Sequence, residues 1–339
     1  MLIKNLLFLA YCKKECLMKN KILVIGGAGY IGSHVVKELL YDGFDVTVYD
    51  NMSTGQECNL FGNAHFFNGD ILDEQTLHNV MCKGFDAVVH LAAKKAVGES
   101  MENPQLYARN NLNGSVNIFN AMVDCGIKNV VFSSTAAVYG TPQYLPIDEN
   151  HPLNPMSFYG FTKAEIENVM AWFRQLKNFN YISLRYFNAV GYTADGTIRG
   201  KEKNPQNLLP IVMEVATGKR DILHVFGNDY DTPDGTCIRD YIHVEDLASA
   251  HVLAIKYLLE NQQSHIINLG TNKGTSVLEI IKAAEKVSGR KINYDIAPRR
   301  TGDPATIIAR CDKAHEVLHW QPQYTDIEQI IQTTWNLEK

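Results

Sequence analysis

The sequence predicts an α/β protein built on a doubly wound, parallel Rossmann-type sheet, followed by a smaller C-terminal α/β substrate domain. Two observations support this prediction. Short apolar runs such as Ile22–Ile25 and Ala87–Leu91 alternate with helical patterns through the first half of the chain. The first run leads directly into a glycine cluster, Gly26–Gly32, that opens a helix. Beyond about residue 188 the alternation gives way to loops rich in Gly, Asn, Asp and Pro.

The first strand, Lys21–Ile25, has the near-continuous apolarity of a strand buried on both faces. Gly26, Gly29 and Gly32 after it fit the pattern G-x-x-G-x-x-G, which lets a pyrophosphate approach the free N–H groups of the next helix. Asp50 follows 18 residues beyond Gly32, where a carboxylate binds ribose hydroxyls and repels a 2′-phosphate. These features predict NAD as the cofactor, and a polar turn at Asp50 is the alternative interpretation.

The remaining elements follow in order. Further strands are predicted at Asp45–Val48, His65–Phe67, Ala87–Leu91, Asn129–Ser134 and Tyr181–Tyr186, and helices at Tyr30–Asp42, Glu74–Met81, Pro104–Cys125 and Ser157–Leu176. Later helices are predicted at Leu208–Thr217, Val244–Leu259, Val277–Ser288 and Asp326–Leu337, the last two with capping boxes at Ser276-x-x-Glu279 and Thr325-x-x-Glu328. We therefore expect a dinucleotide-binding domain over 18–188, with a return segment near 237–260, and a substrate domain over 189–339.

Composition excludes several classes of protein. The 339 residues, 45% hydrophobic and 20% charged, are typical of a soluble globular protein, and the net charge of −5 argues against a nucleic-acid partner. The apolar run Leu6–Tyr11 is too short to cross a bilayer, so residues 1–17 are interpreted as a disordered extension or an upstream-start artefact, and no membrane partner is expected. Seven scattered cysteines favour a reducing, cytoplasmic location over a disulfide framework. No metal-ligand cluster is predicted, and His90 and His243 are expected to be buried structural residues.

Tyr159 and Lys163 form the clearest catalytic signal. Their i, i+4 spacing places the phenol and the ammonium on one face of a predicted helix, although a solvated helix face would show the same spacing. A free tyrosine, with a pKa of about 10, is a poor base near neutrality, but a fixed cation beside it stabilises the phenolate. Such a tyrosine can remove a proton from a sugar hydroxyl while hydride leaves the same carbon for a nicotinamide. The strand end Ser133–Thr135 offers a hydroxyl to share that proton.

The chain resembles the extended short-chain dehydrogenase/reductase family. In the first half the matching stretches are GGAGYIGSH, SSTAAVYG, YGFTK and RYFN, which begin at Gly26, Ser133, Tyr159 and Arg185. The second half adds NLLP, FGNDY, RDYIHVEDLA and RRTGDPA, which begin at Asn207, Phe226, Arg239 and Arg299. These later motifs are similar to those of the UDP-glucose 4-epimerase branch, and the resemblance runs from Met18 to the C-terminus.

The resemblance implies roles for individual residues. Tyr159 is the base that exchanges the sugar O4 proton. Lys163 lowers the pKa of Tyr159 and binds the nicotinamide ribose, and Thr135 hydrogen-bonds the reacting hydroxyl. The residues similar to NAD contacts are Gly26, Gly29, Tyr30, Ile31, Gly32, Asp50, Asn51, Asp70, Ile71, Lys95, Asn110 and Phe187. Those similar to substrate contacts are Thr135, Asn188, Asn207, Leu208, Phe226, Arg239, Arg300 and Asp303, in which the two arginines match guanidinium groups that bind the diphosphate.

By this resemblance the protein catalyses reversible C4 epimerisation of UDP-glucose and UDP-galactose through a transient 4-keto sugar, with NAD kept bound between turnovers. Dehydratases of the family place an Asp-Glu pair directly after the threonine, where this chain has Ala136 and Ala137, so dehydration is disfavoured. The alternative is a 4-epimerase of UDP-N-acetylglucosamine/galactosamine or UDP-glucuronate, although the bulky Ile307 favours sugars without an N-acetyl group. A catalytically silent NAD-binding sensor would be expected to lack Tyr159 or Lys163, and both are present.

The resemblance also implies a homodimer. In the family, two helices of each copy pack as a four-helix bundle, and here these would be Pro104–Cys125 and Ser157–Leu176. The sequence by itself does not distinguish such an interface from a buried intramolecular face.

Overall fold

The computed structural model describes residues 19–202, 205, 207–300 and 302–338. The predicted extension over 1–17, and Met18 at the expected start of the first domain, lie outside the described residues. Among the residues that are described, no helix combines the length and the apolarity needed to cross a bilayer.

Strands and helices alternate through the first half of the chain. The strands are β1 (Lys21–Ile25), β2 (Asp45–Asp50), β3 (His65–Asn68), β4 (Ala87–His90), β5 (Asn129–Thr135), β6 (Asn180–Tyr186), β7 (Asn188–Val190), β8 (Leu223–Phe226), β9 (Ile238–Arg239), β10 (Tyr241–His243), β11 (His265–Leu269), β12 (Thr275–Ser276), β13 (Tyr294–Ala297) and β14 (Thr306–Ile307). The helices are α1 (Tyr30–Tyr41), α2 (Glu74–Met81), α3 (Val97–Glu102), α4 (Pro104–Tyr107), α5 (Gly114–Asp124), α6 (Phe158–Lys177), α7 (Leu208–Ala216), α8 (Val244–Asn261), α9 (Val277–Ser288), α10 (Asp312–Leu318) and α11 (Ile327–Asn336).

The central sheet has seven strands in the order β11-β6-β5-β4-β1-β2-β3, and every pairing in it is parallel. Side chains of β1 alternate between its two faces, so Ile22 and Val24 pack with α1 and α8, whereas Leu23 and Ile25 pack with α2, α5 and α6. All four side chains are fully buried, as the apolar run indicates. The predicted doubly wound parallel sheet is confirmed.

The second half builds a smaller unit around the end of β6. Its strands form three small sheets, β7 with β10, β8 with β13, and β12-β9-β14. A separate core, which includes Val212, Ile280 and Ile331, joins α7, α9 and α11. Between these pieces the chain rejoins the central sheet through α8, which packs on α1, and through β11, which pairs with β6.

Two element predictions are wrong. The helix predicted over Pro104–Cys125 is interrupted by a π-helical turn at Ala108–Asn113, where an extra residue in the turn re-aims the side chains of that turn. The capping box predicted at Thr325 is also wrong: the predicted helix Asp326–Leu337 is present as α11, but its N-cap is Asp326, whose carboxylate accepts the N–H of Glu328 at 3.0 Å. The capping box at Ser276 is confirmed, and the other predicted elements end within two residues of the observed bounds.

The cysteines also depart from expectation. Cys82, after α2, and Cys125, after α5, form a disulfide with a Cα–Cα distance of 5.0 Å, whereas free thiols were predicted. Their 43-residue separation leaves no local signal of the pairing. His78 lies beside them, and one ligand-type atom from each of the three residues falls within 4.8 Å of the others. Because the two sulfur atoms are bonded to each other, they are not available together as thiolate ligands.

Candidate active site

The glycine turn joins β1 to α1 at the carboxyl edge of the sheet. Gly26 has a φ of +88°, and a Cβ there would lie 2.7 Å from the Ala92 nitrogen. A side chain at Gly32 would collide with the Gly26 carbonyl, so both glycines are required by packing within the protein. Gly29 is different, since the nearest atom to an added Cβ would be at an ordinary contact distance of 3.4 Å. A glycine at this position keeps the N-terminus of α1 accessible to a ligand.

The ends of β2 and β3 close around this turn. One oxygen of the buried Asp50 carboxylate accepts the N–H of Ala28 at 3.0 Å, and the other accepts the N–H of Met52 at 2.9 Å. Burial raises the pKa of Asp50, and these two hydrogen bonds oppose that shift. Asn51 donates to the Asp70 carboxylate at 2.8 Å. Asp50 therefore makes the predicted polar turn and also lies directly against the glycine turn, so the two interpretations are compatible.

Asn111 organises the loop that follows β4. Its side chain accepts the N–H of Lys94 and donates to the Lys94 carbonyl, both at 2.9 Å. Asn110, the predicted contact, donates to the Asn111 side chain at 3.0 Å. Lys95 is half-exposed, and its ammonium pairs with Glu202 at 2.5 Å. The Asn111 side chain thus holds this loop through the backbone of Lys94. The Lys95 side chain takes no part in that contact, and its partner is Glu202.

Larger predicted cofactor residues surround the same edge. Ile71 is buried against the start of α5, and Ile31 and Phe187 are partly buried against the core. The Tyr30 hydroxyl donates to the Gly191 carbonyl at 2.5 Å and so links α1 to the second half of the chain.

Tyr159 and Lys163 occupy successive turns of α6 and face the end of β5. The Lys163 ammonium donates to the Ser133 carbonyl at 2.7 Å and lies 5.9 Å from the centre of the Tyr159 ring. Thr135, the last residue of β5, lies next to Tyr159, and its hydroxyl group lowers the pKa of the Tyr159 phenol. The Ser133 hydroxyl bonds the Tyr186 hydroxyl on β6. The structure therefore brings the three predicted catalytic residues together in one cluster, in which Lys163 is buried and Thr135 and Tyr159 are partly exposed.

Burial dominates the electrostatics of this cluster. It raises the pKa of Tyr159 to about 12, and the hydrogen bond from Thr135 opposes the rise. It lowers the pKa of Lys163 to about 7, and the Glu167 carboxylate opposes the fall. A tyrosine base in this position therefore needs positive charge beside it to lose its proton near neutrality.

A second group of predicted residues lies at the small sheets. Arg239 ends β9 and pairs with Asp303 at 2.5 Å, with only 11% of the arginine side chain exposed. The Arg300 guanidinium stacks on the Phe226 ring at 4.1 Å. Two guanidinium groups and an aromatic face thus occupy neighbouring positions, an arrangement suited to a diphosphate and a flat base.

Three more predicted substrate residues lie between these groups. Asn188 begins β7, and its side-chain amide donates to the Asp240 carbonyl at 3.0 Å, which fixes its orientation. Asn207 stands at the N-cap of α7, but its side chain makes no capping hydrogen bond. Leu208 is the first residue of that helix and packs partly against the second-half core.

Several supporting residues were not identified from the sequence. Glu167 is buried, accepts the Ser134 hydroxyl at 2.5 Å and pairs with Arg185, whose Nε lies 3.0 Å from the carboxylate. The Ser100 hydroxyl accepts the Tyr159 N–H at 3.1 Å. Glu167 follows Lys163 by four residues, as Lys163 follows Tyr159, so the sequence spacing already places all three on one face of the helix. Ser100 has no comparable signal, since its contact joins residues that are 59 positions apart.

Known proteins share this arrangement. The sequence profile of the NAD dependent epimerase/dehydratase family matches residues 22–270. A UDP-glucose 4-epimerase of Lacticaseibacillus casei is 46% identical over 317 residues, which cover 93% of this chain and 96% of that protein. The crystal structure of a UDP-glucose 4-epimerase from Brucella ovis in complex with NAD has a TM-score of 0.90 at 44% identity, covering 93% of this chain and 97% of that one. A Bifidobacterium longum UDP-glucose 4-epimerase in complex with NAD+ and UDP has a TM-score of 0.89 at 39% identity, covering 94% and 98%.

The profile match spans most of the chain, and the relatives align over nearly their whole length. The two solved structures have the fold described above. The resemblance inferred from sequence motifs is therefore confirmed, and the chain belongs to the NAD dependent epimerase/dehydratase family.

Proposed function

We propose that this protein is an NAD-dependent UDP-glucose 4-epimerase, which interconverts UDP-glucose and UDP-galactose through a 4-keto sugar. The observation that carries this proposal is the cluster of Tyr159, Lys163 and Thr135 at the carboxyl edge of the sheet, the same edge at which the glycine turn opens α1. Relatives at 43–46% identity that are named UDP-glucose 4-epimerase support the assignment of UDP-glucose as substrate.

The residues at the glycine turn fit NAD. Gly29 leaves the helix N-terminus open to a pyrophosphate, which needs the free N–H groups and the favourable end of the helix dipole. Asp50 is the carboxylate for the adenosine ribose, and the remaining NAD contacts are the residues named above at the ends of β2 and β3 and in the loop after β4. When bound, NAD accepts a hydride from the sugar C4 and returns it to the opposite face.

The chain supplies the proton transfer. Tyr159 takes the O4 proton as the hydride leaves and gives it back when the hydride returns. Lys163, when charged, stabilises the Tyr159 phenolate, and Thr135 hydrogen-bonds the same hydroxyl group. Lys163 is buried, which keeps water away from the amine, whereas Tyr159 and Thr135 are partly exposed and so stay accessible to the sugar.

The second-half residues hold the nucleotide. In this proposal Arg239 and Arg300 bind the diphosphate, Asp303 binds the uridine ribose and Phe226 flanks the uracil. Asn188, Asn207 and Leu208 contact the sugar and its diphosphate. The ionic contacts of the two arginines anchor the substrate through its diphosphate, so the sugar can turn about that linkage, as transfer to the opposite face requires.

The proposal extends to domain organisation and location. Residues 18–188, with a return near 237–260, form the NAD-binding part, and 189–339 form the UDP-sugar-binding part. Support comes from the position of the glycine turn in the first part and of the Arg239–Asp303 pair in the second. A cytoplasmic location is part of the proposal, and the free thiols of Cys58, Cys237 and Cys311 support it.

A homodimer is part of the proposal. Three apolar side chains on one face of α6 are exposed, namely Phe161, Trp172 (62%) and Leu176 (70%), and Leu106 of α4 is exposed as well. A second copy that packs the same two helices against these residues would cover them. We expect Trp172→Glu to convert the protein from a dimer to a monomer in analytical ultracentrifugation, whereas Tyr41→Glu, at an exposed position at the end of α1, leaves the dimer intact. A wild-type monomer would contradict this prediction.

The function is tested on purified protein without added cofactor. We expect denaturation to release NAD, and the intact protein to convert UDP-galactose to UDP-glucose. Tyr159→Phe should lower kcat by at least about 100-fold while NAD stays bound, because the base is lost and the cofactor contacts are not. Bound NAD without interconversion would refute the substrate assignment, and activity that depends on added NADP would refute the role given to Asp50.

A further inference from the structure

Glu167 continues the line of functional residues along α6. Tyr159, Lys163 and Glu167 are spaced by four residues, so they lie on the face that meets β5 and β6. Glu167 is 4% exposed and Lys163 is 1% exposed. A carboxylate buried at this depth is costly unless it is paired and hydrogen-bonded, so its position calls for an explanation.

Two contacts tie Glu167 to the catalytic strand and its neighbour. It accepts the hydroxyl of Ser134 at 2.5 Å, and Ser134 lies between Ser133, whose carbonyl accepts Lys163, and Thr135. Arg185 of β6 binds the same carboxylate through its Nε, at 3.0 Å and 3.2 Å from the two oxygens. Glu167 therefore fixes the end of β5 and links it to β6.

The charge of Glu167 also connects it to Lys163. The Glu167 carboxylate raises the pKa of Lys163 against the fall that burial causes. The other titratable groups around the cluster are His90 on β4, Tyr107 on α4, Tyr139 after β5, and Tyr181, Arg185 and Tyr186 on β6. Of these, burial lowers the pKa of His90 to about 3, and it raises the pKa of each of the tyrosines. His90 and these tyrosines are neutral at pH 7, so the Glu167–Arg185 ion pair is the charged neighbour of the Lys163 amine.

We propose that Glu167 is a positioning residue for the reaction, which holds the Ser134–Thr135 strand end and favours the charged form of Lys163 beside Tyr159. The inference rests on the proposed epimerase function. It assigns to Glu167 an effect on proton transfer, whereas a purely structural carboxylate would affect only folding and the rate at all pH values equally.

The test is the pH profile of kcat with saturating UDP-galactose, measured on the NAD-bound protein. In Glu167→Gln, more of the Lys163 amine is neutral at a given pH, so the Tyr159 phenol keeps its proton to higher pH. We expect the rising limb of the profile to move up by about one pH unit. Glu165→Gln removes a carboxylate from the same helix outside this network and should keep the wild-type midpoint.

Two further variants distinguish an effect on proton transfer from a loss of folding. Glu167→Gln leaves Arg185 buried without its partner, so Glu167→Gln/Arg185→Met removes both charges and should show the same upward shift. Ser134→Ala keeps the carboxylate and should lower kcat severalfold with the midpoint unchanged. Wild-type midpoints in both Glu167 variants, or an equal shift in Ser134→Ala, would overturn the inference. Absence of epimerisation in the wild type would refute the proposed function instead.

Discussion

Thr135 shows how one residue serves both the fold and the reaction. It is the last residue of β5, and its hydroxyl accepts the N–H of Ala137, which begins the turn toward α6. The same hydroxyl reaches the Tyr159 phenol. A residue at this position must therefore have β propensity and a hydroxyl group, and threonine has both.

Substitutions at Thr135 separate these two needs. Thr135→Val keeps the branched shape and removes the hydroxyl, so we expect kcat to fall by about 100-fold, the usual effect of losing one hydrogen bond to a reacting oxygen. Thr135→Ser keeps the hydroxyl and should stay within a few-fold of the wild type. Steady-state kinetics with UDP-galactose measure both, and equal rates for the valine and serine variants would contradict this role.

Ile307 is expected to set the limit on substrate size. It lies on β14 opposite Arg239 and packs against the cluster of Val138, Tyr139 and Ile147. Ile307→Ala removes three carbons beside the site, so we expect turnover of UDP-N-acetylglucosamine relative to UDP-galactose to rise at least about 10-fold. Competition between the two substrates measures this ratio. Comparable use of both sugars by the wild type would contradict the proposed preference.

At the scale of elements, sequence patterns predicted what depends on local chemistry. The apolar run of β1, the glycine turn and the Tyr159–Lys163 spacing are all contained within a few residues, and each was found in its predicted place. Features that depend on distant partners were missed. The π-helical turn at Ala108–Asn113 accompanies contacts between Asn111 and Lys94, which are 17 residues apart, and the disulfide joins residues 43 apart.

The start of α6 depends on a glycine that local propensity would not select. Gly160 is buried in the first turn, and a Cβ there would lie 2.5 Å from the Ala137 carbonyl and 3.1 Å from Pro155. Helix α6 can therefore approach the end of β5 only with glycine at this position. This close approach is what places Tyr159 against Thr135.

Gly160→Ala should push the two elements apart. We expect kcat to fall by at least about 10-fold through misplacement of Tyr159, and the free energy of unfolding to fall by about 1–3 kcal/mol through overpacking. Gly62→Ala is the matched control, because an added Cβ there meets no atom within 4 Å. Kinetics and urea unfolding of both variants check the prediction, and an unchanged kcat in Gly160→Ala would show that the contact is not needed for catalysis.

At the scale of the whole molecule, buried titratable groups make stability depend on pH. Burial lowers the pKa of His34 and His251 to about 4 and that of His90 and His243 to about 3. The unfolded chain takes up these protons near pH 6.5, whereas the native state does not, so acid favours unfolding. Two buried carboxylates act in the opposite direction, since burial raises the pKa of Asp240 and Asp246 to about 6 and the native state binds their protons first.

The histidines dominate this balance. Between pH 7 and pH 5 each of the four histidines costs on the order of 2 kcal/mol and each of the two carboxylates returns on the order of 1 kcal/mol, so we expect the free energy of unfolding to fall by several kcal/mol. His251→Leu should reduce that loss by about 2 kcal/mol, because His251 is fully buried and its Nε2 has no hydrogen-bond partner among the described residues. His65→Gln, at an exposed site, should leave the loss unchanged. Urea unfolding at the two pH values measures it, and an equal loss in wild type and His251→Leu would show that His251 takes up its proton in the native state as readily as in the unfolded chain.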